Sequence, residues 1–308
     1  MNTLAGIGLY LAATFLFTVM AAFIRYVGER VPLGEVIFAR SFFAIIPLTA
    51  LLAWRGEIIG ALRTANPWGH ASRALTGVVA MFFNFAGLAR IPLAEATAIS
   101  FATPLFNVVL AALLLGERVR VFRWSTVAFG FIGVLVMLSP HLGQVETTTA
   151  SALGATLTLI GSFLVALAMT QVRHMSARET TASLVFSFTV ISSLIGLATL
   201  PWGWTYPEPY DLAALIGMGI AGGMGQIAIT ESYRHAPASV VAPFAYTAML
   251  WSLAIGFLAF SEVPQGIVLA GAAIVVAAGL VVIWRERKLG LQRALKAAAM
   301  PPAAGTAV

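Results

Sequence analysis

The chain has 308 residues, of which 60% are hydrophobic and only 10% are charged, and its formal net charge is +6. Soluble domains carry about 25% charged residues, so this composition excludes an ordinary soluble protein and indicates one that lies in a membrane. Because the sequence has no cysteine, disulfides, thiolate metal ligands and cysteine nucleophiles are also excluded.

Apolar segments of membrane-spanning length recur along the chain, separated by short polar breaks. As a helix, about 20 apolar residues cross the roughly 30 Å hydrocarbon core of a bilayer. On that measure the sequence predicts ten spans, at residues 4–26, 35–54, 70–89, 92–115, 122–139, 150–171, 180–200, 211–233, 237–260 and 264–284. The first Lys or Arg is Arg25, so the opening segment lacks the basic start of a cleavable signal peptide and is predicted to be a span.

The 18 Lys and Arg residues orient these predicted spans. With ten spans both termini share one side, and that side collects all the basic residues except Arg25, Arg30 and Arg90 on the other side and Arg40 within the second span. The positive-inside rule therefore predicts cytoplasmic termini, in a bacterial-type inner membrane. Since membrane topology accounts for the basic charge, we expect a lipid bilayer as partner and no nucleic acid.

Two stretches of the chain, residues 90–117 and 235–262, align without a gap at a constant offset of 145 residues. The matched pairs are Pro92 with Pro237, Phe101 with Tyr246, Phe106 with Trp251, Glu117 with Glu262 and, upstream, Gly77 with Gly222. Short apolar segments also match by chance, so the shared prolines and glutamates carry the evidence for an internal repeat.

The repeat starts again after five spans, and an odd number of crossings turns its second copy upside down. The charges agree, because the loop GERVRVFR after the fourth span has three arginines and its counterpart SEVPQG has none. We therefore predict an all-α integral membrane protein with ten transmembrane helices in two inverted five-helix repeats around a central cavity. The first repeat would cover residues 1–140, the second 141–284, and 285–308 would form a basic, disordered cytoplasmic tail.

These repeats resemble the EamA-type transporters of the drug/metabolite transporter superfamily. The resemblance lies in Pro92 to Glu117, in Pro237 to Glu262 and in Arg40 within the second span. Within the superfamily, the length and the aromatic helices are most similar to YddG-type amino-acid exporters. The resemblance implies export of small metabolites, often amino acids, by alternating access without ATP.

The stretch SFATPLFN, residues 100–107, places polar residues in the middle of the fourth predicted span. Ser100, Thr103, Pro104 and Asn107 fall on one face of a helix, and such a stripe should face a cavity or another helix rather than lipid. Pro104 cannot bond the carbonyl of Ser100 and is predicted to kink the helix. Two interpretations remain open: these side chains line a substrate cavity, or they join packed helices by hydrogen bonds.

The other candidates for substrate binding lie near the middle of predicted spans in both halves. In the ninth span, Pro243 is a second predicted kink, and Tyr246 and Trp251 suit the wall of a small-molecule pocket, although plain core packing explains both rings equally well. The remaining candidates are Phe17, Thr18, Asn84, Ser162 and Gln226.

Three charged residues in the predicted spans are candidates for ion coupling or ion pairing. Arg40 can reach the outer surface, pair with Glu35 or Glu95, or meet a substrate carboxylate. Glu95 is in the first turn after Pro92, where negative charge suits the helix dipole. Glu231 is predicted to pair with Arg234 three residues later. No carboxylate lies at predicted mid-depth, so facilitated efflux and proton antiport both remain open.

Competing function classes have little support in the sequence. An intramembrane enzyme would need a catalytic or metal motif, and no HExxH or GxSxG occurs. No GxxxxGK[ST] is present to drive an ATP-dependent pump, and no filter or charged ring suggests a channel.

We expect no cofactor and no metal, and ten helices can enclose a pathway in one monomer. The predicted cargo is an amino acid, with drugs, nucleosides or cofactors as alternatives.

Overall fold

The structure, a computed structural model, describes residues 3–114, 121–142, 149–175 and 179–298, and all regular elements in these ranges are helical. The α-helices are α1 (Thr3–Val27), α2 (Leu33–Arg55), α3 (Ile58–Leu62), α4 (Pro67–Leu88), α5 (Leu93–Ser100), α6 (Thr103–Leu114), α7 (Val121–Leu142), α8 (Thr149–Met175), α9 (Thr181–Ala198), α10 (Pro209–His235), α11 (Ala238–Val241), α12 (Thr247–Phe260) and α13 (Gly266–Ala298). Short 3-10 helices add Leu200–Trp202 and Ala242–Tyr246.

Each of the ten predicted spans falls on helix over most of its length. Eight spans in the described ranges are long and apolar enough to cross a membrane, one of them formed by α5 and α6 together, while Trp124–Ser139 and Gly266–Val281 are shorter apolar helices. Many large apolar side chains, among them Leu113, Leu135 and Leu258, are exposed on the outside of the bundle, as lipid contact requires. The chain is therefore an all-helical integral membrane protein.

Local sequence signals explain where several of these helices begin and end. The side chain of Asn66 caps α4 by accepting from the Gly69 N–H at 2.9 Å, and Pro67 follows at the first helical position. Thr180 caps α9 in the same way through Ser183 N–H, at 3.1 Å. Helix α2 ends at Arg55 and is followed by Gly56, whose φ of 67° lies in the left-handed region that glycine adopts without strain.

The fourth and ninth predicted spans are both interrupted, each beside a proline. Helix α5 ends at Ser100, and α6 begins at Thr103 with Pro104 in its first turn. In the ninth span, the 3-10 segment Ala242–Tyr246 contains Pro243 and separates α11 from α12. Since proline has no N–H to donate to the preceding turn, each interruption falls where the backbone ladder would be broken anyway.

The helices pack in a pattern that brings the two halves of the chain together. Helix α1 packs along α10, α4 along α8, α7 along α13, and α2 against both α9 and α10. The α7–α13 contact is so close that a Cβ at Gly133 would lie 2.8 Å from the Gly271 carbonyl oxygen. The largest buried cluster lies between α1, α2, α4, α5 and α10, around Ile37, Leu93 and Met218.

The end of the chain differs from its prediction. The prediction of a disordered tail is wrong for residues 285–298, because α13 continues to Ala298. The segment is rich in Arg, Leu, Lys, Gln and Ala, which have high helix propensity and extend a helix that is already formed. Residues 299–308 and Glu117, the repeat partner of Glu262, lie outside the described residues.

Candidate functional site

A cavity of about 310 Å³ lies inside the bundle, bordered by α1, α4, α5, α8 and α12. Most of its wall is apolar, with Phe17 and Met20 on α1 and Phe101 beside the break between α5 and α6. Four of the residues predicted to bind substrate line it, namely Phe17, Thr18, Asn84 and Ser100. An apolar chamber with a few convergent polar groups has the make-up of a small-molecule site.

The polar side chains of this cavity are already bonded to their own helices. Thr18 Oγ1 donates to Thr14 O at 2.8 Å, Ser100 Oγ to Ala96 O at 2.8 Å, and Asn84 Nδ2 to Ala80 O at 2.9 Å. A hydroxyl that has donated its one hydrogen keeps only acceptor capacity. The hydroxyl oxygens on the wall can therefore accept hydrogen bonds from a ligand's N–H or ammonium group.

Two predicted site residues in the second half contact the cavity wall from behind. Trp251 Nε1 donates to Thr14 Oγ1 at 3.3 Å, and Thr14 lines the cavity. The ring of Tyr246 packs edge-on against Phe101, with 5.2 Å between centroids. These aromatic residues thus support the wall, which only Ala248 reaches from α12.

The other four predicted site residues lie elsewhere. Thr103 Oγ1 donates to the carbonyl oxygen of Ser162 at 3.4 Å, so both residues are part of a buried contact between α6 and α8. Asn107 lies on the outer part of α6, where Nδ2 is 3.5 Å from Met169 Sδ. Gln226 is half-buried on α10 and does not line the cavity. The polar stripe of the fourth span therefore divides at the helix break, because the turn rotates α6 relative to α5.

Arg40 lies within the bundle but does not pair with Glu35, one of the partners expected from the sequence. Its guanidinium carbon is 5.9 Å from the ring centroid of Phe188 on α9. Glu35 instead accepts a hydrogen bond from Thr205 N–H at 3.1 Å, because the loop before α10 folds over the start of α2.

Arg73 shares the Phe188 ring with Arg40, its guanidinium carbon lying 3.8 Å from the ring centroid. The positive-inside rule predicted Arg73 to be one of the cytoplasmic charges. Helix α4 begins at Pro67, however, so Arg73 is about one and a half turns inside the helix. The Asn66 cap followed by Pro67 is the signal that could have located this helix start in the sequence.

The two predicted carboxylate candidates occupy the ends of helices. Glu95 is buried in the first turn of α5, 4% exposed. Glu231 Oε1 lies 3.5 Å from Arg234 Nη1, which confirms the predicted local pair, and 2.7 Å from Arg55 Nη1 on α2. The Arg55 contact, between helices far apart in sequence, was not predicted.

Ion pairs connect several helices at the end of the bundle opposite the chain's N-terminus. Arg25 Nε lies 3.0 Å from Glu262 Oε1, and the other oxygen of Glu262 accepts from Leu93 N–H at 2.8 Å, so α1, α5 and α12 are joined. Arg30 pairs with Asp211 at 2.7 Å, and this hydrogen bond raises the pKa of Arg30 above its ordinary value. These contacts hold the helices together at this end of the bundle.

Comparison with known proteins shows what this chain is similar to. Residues 4–139 match the EamA-like transporter family. The chain is 29% identical to an S-adenosylmethionine uptake transporter of Rickettsia prowazekii, over 86% of this chain and 87% of that protein. It is 28% identical to a pseudopaline exporter of Pseudomonas aeruginosa, over 89% and 94% respectively. A crystal structure superposes with a TM-score of 0.64 and 19% identity, covering 94% of this chain and 99% of that one, which supports the fold alone.

The membrane-spanning helices, together with relatives that are transporters, indicate a multi-pass membrane transporter rather than an enzyme. Over residues 4–139 the chain is similar to the EamA-like transporter family, and over most of its length it is similar to the two transporters named above.

Proposed function

We propose that the protein is a secondary transporter that exports small metabolites by alternating access. The foremost substrates are amino acids, including those with apolar or aromatic side chains. The observation that carries the proposal is the cavity beside the α5–α6 break, with its apolar wall and its acceptor oxygens. An amphiphile with an ammonium group and an apolar side chain suits such a chamber.

We further propose ten transmembrane helices in two inverted repeats, residues 1–140 and 141–284, around this cavity. The repeat alignment matches α1 with α8, α4 with α10, and α2 with α9. If each helix is replaced by its counterpart in the other repeat, the α1–α10 contact becomes the α8–α4 contact, and both contacts are extensive. Helix α2 also packs on α9, its own counterpart, as α7 packs on α13. A pseudo-two-fold axis between the halves accounts for this pattern.

The proposed transport cycle opens the cavity to one side of the membrane at a time. The Arg25–Glu262–Leu93 contacts lie at the side that the charge distribution assigns to the exterior, with both termini cytoplasmic. In the proposed cycle this outer gate is closed in the present conformation, and release of substrate requires that it open. The prolines at the two interruptions are the proposed bending points, and one monomer contains the whole pathway.

Uptake of S-adenosylmethionine is the second candidate function, favoured by the Rickettsia relative, which is an S-adenosylmethionine uptake transporter. The two relatives differ in cargo and in direction, since one is an uptake transporter and the other an exporter. They therefore support transport without selecting the substrate.

The purified protein in liposomes tests this proposal. Labelled amino acids and labelled S-adenosylmethionine would be loaded separately, and efflux would be followed with and without a proton gradient. We expect efflux of amino acids above that of empty liposomes, and the gradient arm separates proton antiport from facilitated efflux. Movement of S-adenosylmethionine without any amino acid would replace the first candidate by the second.

A further inference from the structure

Two arginine side chains from different helices meet at one aromatic ring inside the bundle. The guanidinium carbon of Arg73 lies 3.8 Å from the ring centroid of Phe188, and that of Arg40 lies 5.9 Å from the same point. Arg40 and Phe188 are each about two turns inside helices that run through the apolar part of the bundle. This arrangement is a pair of cations at membrane depth.

Neither guanidinium group has a counter-ion among the described residues. Arg40 Nε, Arg73 Nε and Arg73 Nη1 are shielded from solvent and make no hydrogen bond. The ion pairs of the described chain involve other basic residues, and none places a carboxylate within 4 Å of Arg40 or Arg73. Buried guanidinium nitrogens without acceptors are costly, so the arrangement calls for an acceptor that the described part of the chain does not supply.

The contact with Phe188 does not compensate for this cost. A cation over an aromatic face is attracted by the ring, but that attraction is smaller than the penalty of removing two charges from water. The two guanidinium groups also repel each other. Charges within membrane helices mark binding sites and ion pathways by default. An anion between the two groups would satisfy the free nitrogens and remove the repulsion.

Two glycines keep this pair open and place it beside the cavity. A Cβ at Gly77 would lie 2.8 Å from Arg73 Nη1, and a Cβ at Gly222 would lie 3.6 Å from Arg40 Nε and 2.8 Å from Met20 Sδ. Met20 also lines the cavity, so Gly222 lies close both to a flexible side chain of the cavity wall and to Arg40. Gly77 and Gly222 are the pair that the repeat alignment matches.

We propose that Arg40 and Arg73 form a carboxylate-binding subsite of the transport pathway. Guanidinium groups bind carboxylates through two parallel hydrogen bonds, a geometry that neutral side chains and ammonium groups do not offer. The substrate's carboxylate binds between the two arginines, while its ammonium group donates to the acceptor oxygens of the cavity. This inference rests on the proposed function and narrows it to substrates that carry a carboxylate.

The experiment compares an amino acid with its own carboxamide, which keeps the ammonium group and side chain but lacks the negative charge. Each compound competes with efflux of the labelled amino acid from liposomes, and each is also tested for its effect on the melting temperature of the purified protein. The variants are Arg40→Gln and Arg73→Gln, with Arg63→Gln as a matched control that removes an exposed cytoplasmic charge. Inorganic phosphate is included as a competing anion.

We expect the carboxamide to compete about tenfold more weakly than the acid with the unaltered protein, since charge-assisted hydrogen bonds are lost. In Arg40→Gln and Arg73→Gln the acid and the amide should compete almost equally, so the ratio of their competition strengths approaches one. Arg63→Gln should leave this ratio unchanged. Equal competition by acid and amide would overturn the inference while the transporter function stands. If a glutamine variant fails to reach the membrane, Arg40→Lys and Arg73→Lys keep the charge and should give an intermediate ratio.

The melting-temperature arm separates a failure of the subsite from a failure of the proposed function. If no amino acid is transported, stabilisation by the acid but not the amide, lost in the Arg40 and Arg73 variants, would keep the carboxylate subsite without the proposed cargo. If no amino acid is transported and the acid does not stabilise the protein more than the amide, both the carboxylate subsite and the proposed function are contradicted. Stronger stabilisation by phosphate than by any carboxylate would reassign the pair to phosphate-bearing ligands and overturn the proposal.

Discussion

At the scale of single residues, Asn84 and Asn107 were equivalent in the sequence and are not equivalent in the structure. Asn84 lines the cavity, and Asn107 lies beside Met169 on the outer part of α6. We expect Asn84→Ala to lower the transport rate in liposomes about tenfold, because a polar contact to substrate is lost. Asn107→Ala, the matched control, should change transport less than twofold.

Membrane abundance and melting temperature of both variants decide whether Asn84 acts on substrate or on packing. A parallel loss of abundance and activity in Asn84→Ala would make it a packing residue. Equal losses of transport in the two variants would contradict the position of the binding site.

Glu179, in the loop before α9, makes stability depend on pH. Burial of this carboxylate alone would raise its pKa, but hydrogen bonds from Thr64 and from the N–H groups of Ala65 and Asn66 lower the pKa below its ordinary value. A lowered folded-state pKa contributes stability that is present above the unfolded value and lost as the pH falls through the folded value. We therefore expect the melting temperature to fall on acidification below about pH 4.5.

The variant Glu179→Gln isolates this contribution. At neutral pH it should lower the free energy of unfolding by about 1–3 kcal/mol, because a charged acceptor of three hydrogen bonds is replaced. On acidification its melting temperature should change less than that of the unaltered protein. Identical pH profiles would show that Glu179 does not carry the effect.

At the scale of elements, the break between α5 and α6 borders the cavity through Ser100 and Phe101. Pro104→Ala supplies an N–H that can bond the carbonyl of Ser100 and favours a continuous helix. We expect transport to fall about tenfold while abundance stays unchanged. Pro67→Ala is the control, since proline at the first position of α4 replaces no helical hydrogen bond. Full activity of Pro104→Ala would exclude the break as a bending point.

The Arg25–Glu262–Leu93 contacts join three helices at the proposed outer gate. Glu262→Gln removes the ion pair, whose side chains are 25% and 11% exposed, and should destabilise the closed gate by about 1–2 kcal/mol. Because the chain has no cysteine, Ser100→Cys gives a single reporter in the cavity. An impermeant thiol reagent added outside should label it several-fold faster in the Glu262→Gln background.

The matched control for this gate is Glu29→Gln. Glu29 also forms an ion pair, with Arg90, but its side chain is 63% exposed and such a pair contributes little. Unchanged labelling in the Glu262 variant, or equal acceleration in both, would contradict a gate at Glu262.

At the scale of the whole molecule, the positions of the helices could be predicted from the sequence, but the candidate binding site could be predicted only in part. Spans are predictable because bilayer thickness sets their length and because prolines such as Pro67 and Pro92 mark helix starts. Side-chain direction is less predictable, because a break of two residues at Phe101 and Ala102 rotates Thr103 and Asn107 away from Ser100. The proximity of Arg73 to Arg40 depends on how α2, α4 and α9 pack, and spacing along one helix contains no such information.

The two arginines beside Phe188 also lie in the electric field of an energised membrane. A charge that crosses the full membrane gains or loses about 2.3 kcal/mol per 100 mV, so a rocking movement that carries both guanidinium groups through part of the field depends on voltage. Amino-acid efflux should therefore change several-fold between 0 and 100 mV imposed by a potassium gradient with valinomycin, and less in Arg40→Gln. Voltage-independent efflux would mean that these charges stay fixed relative to the field. If efflux does depend on voltage, the protein responds to the energy state of the cell membrane without ATP, and even without a coupled proton.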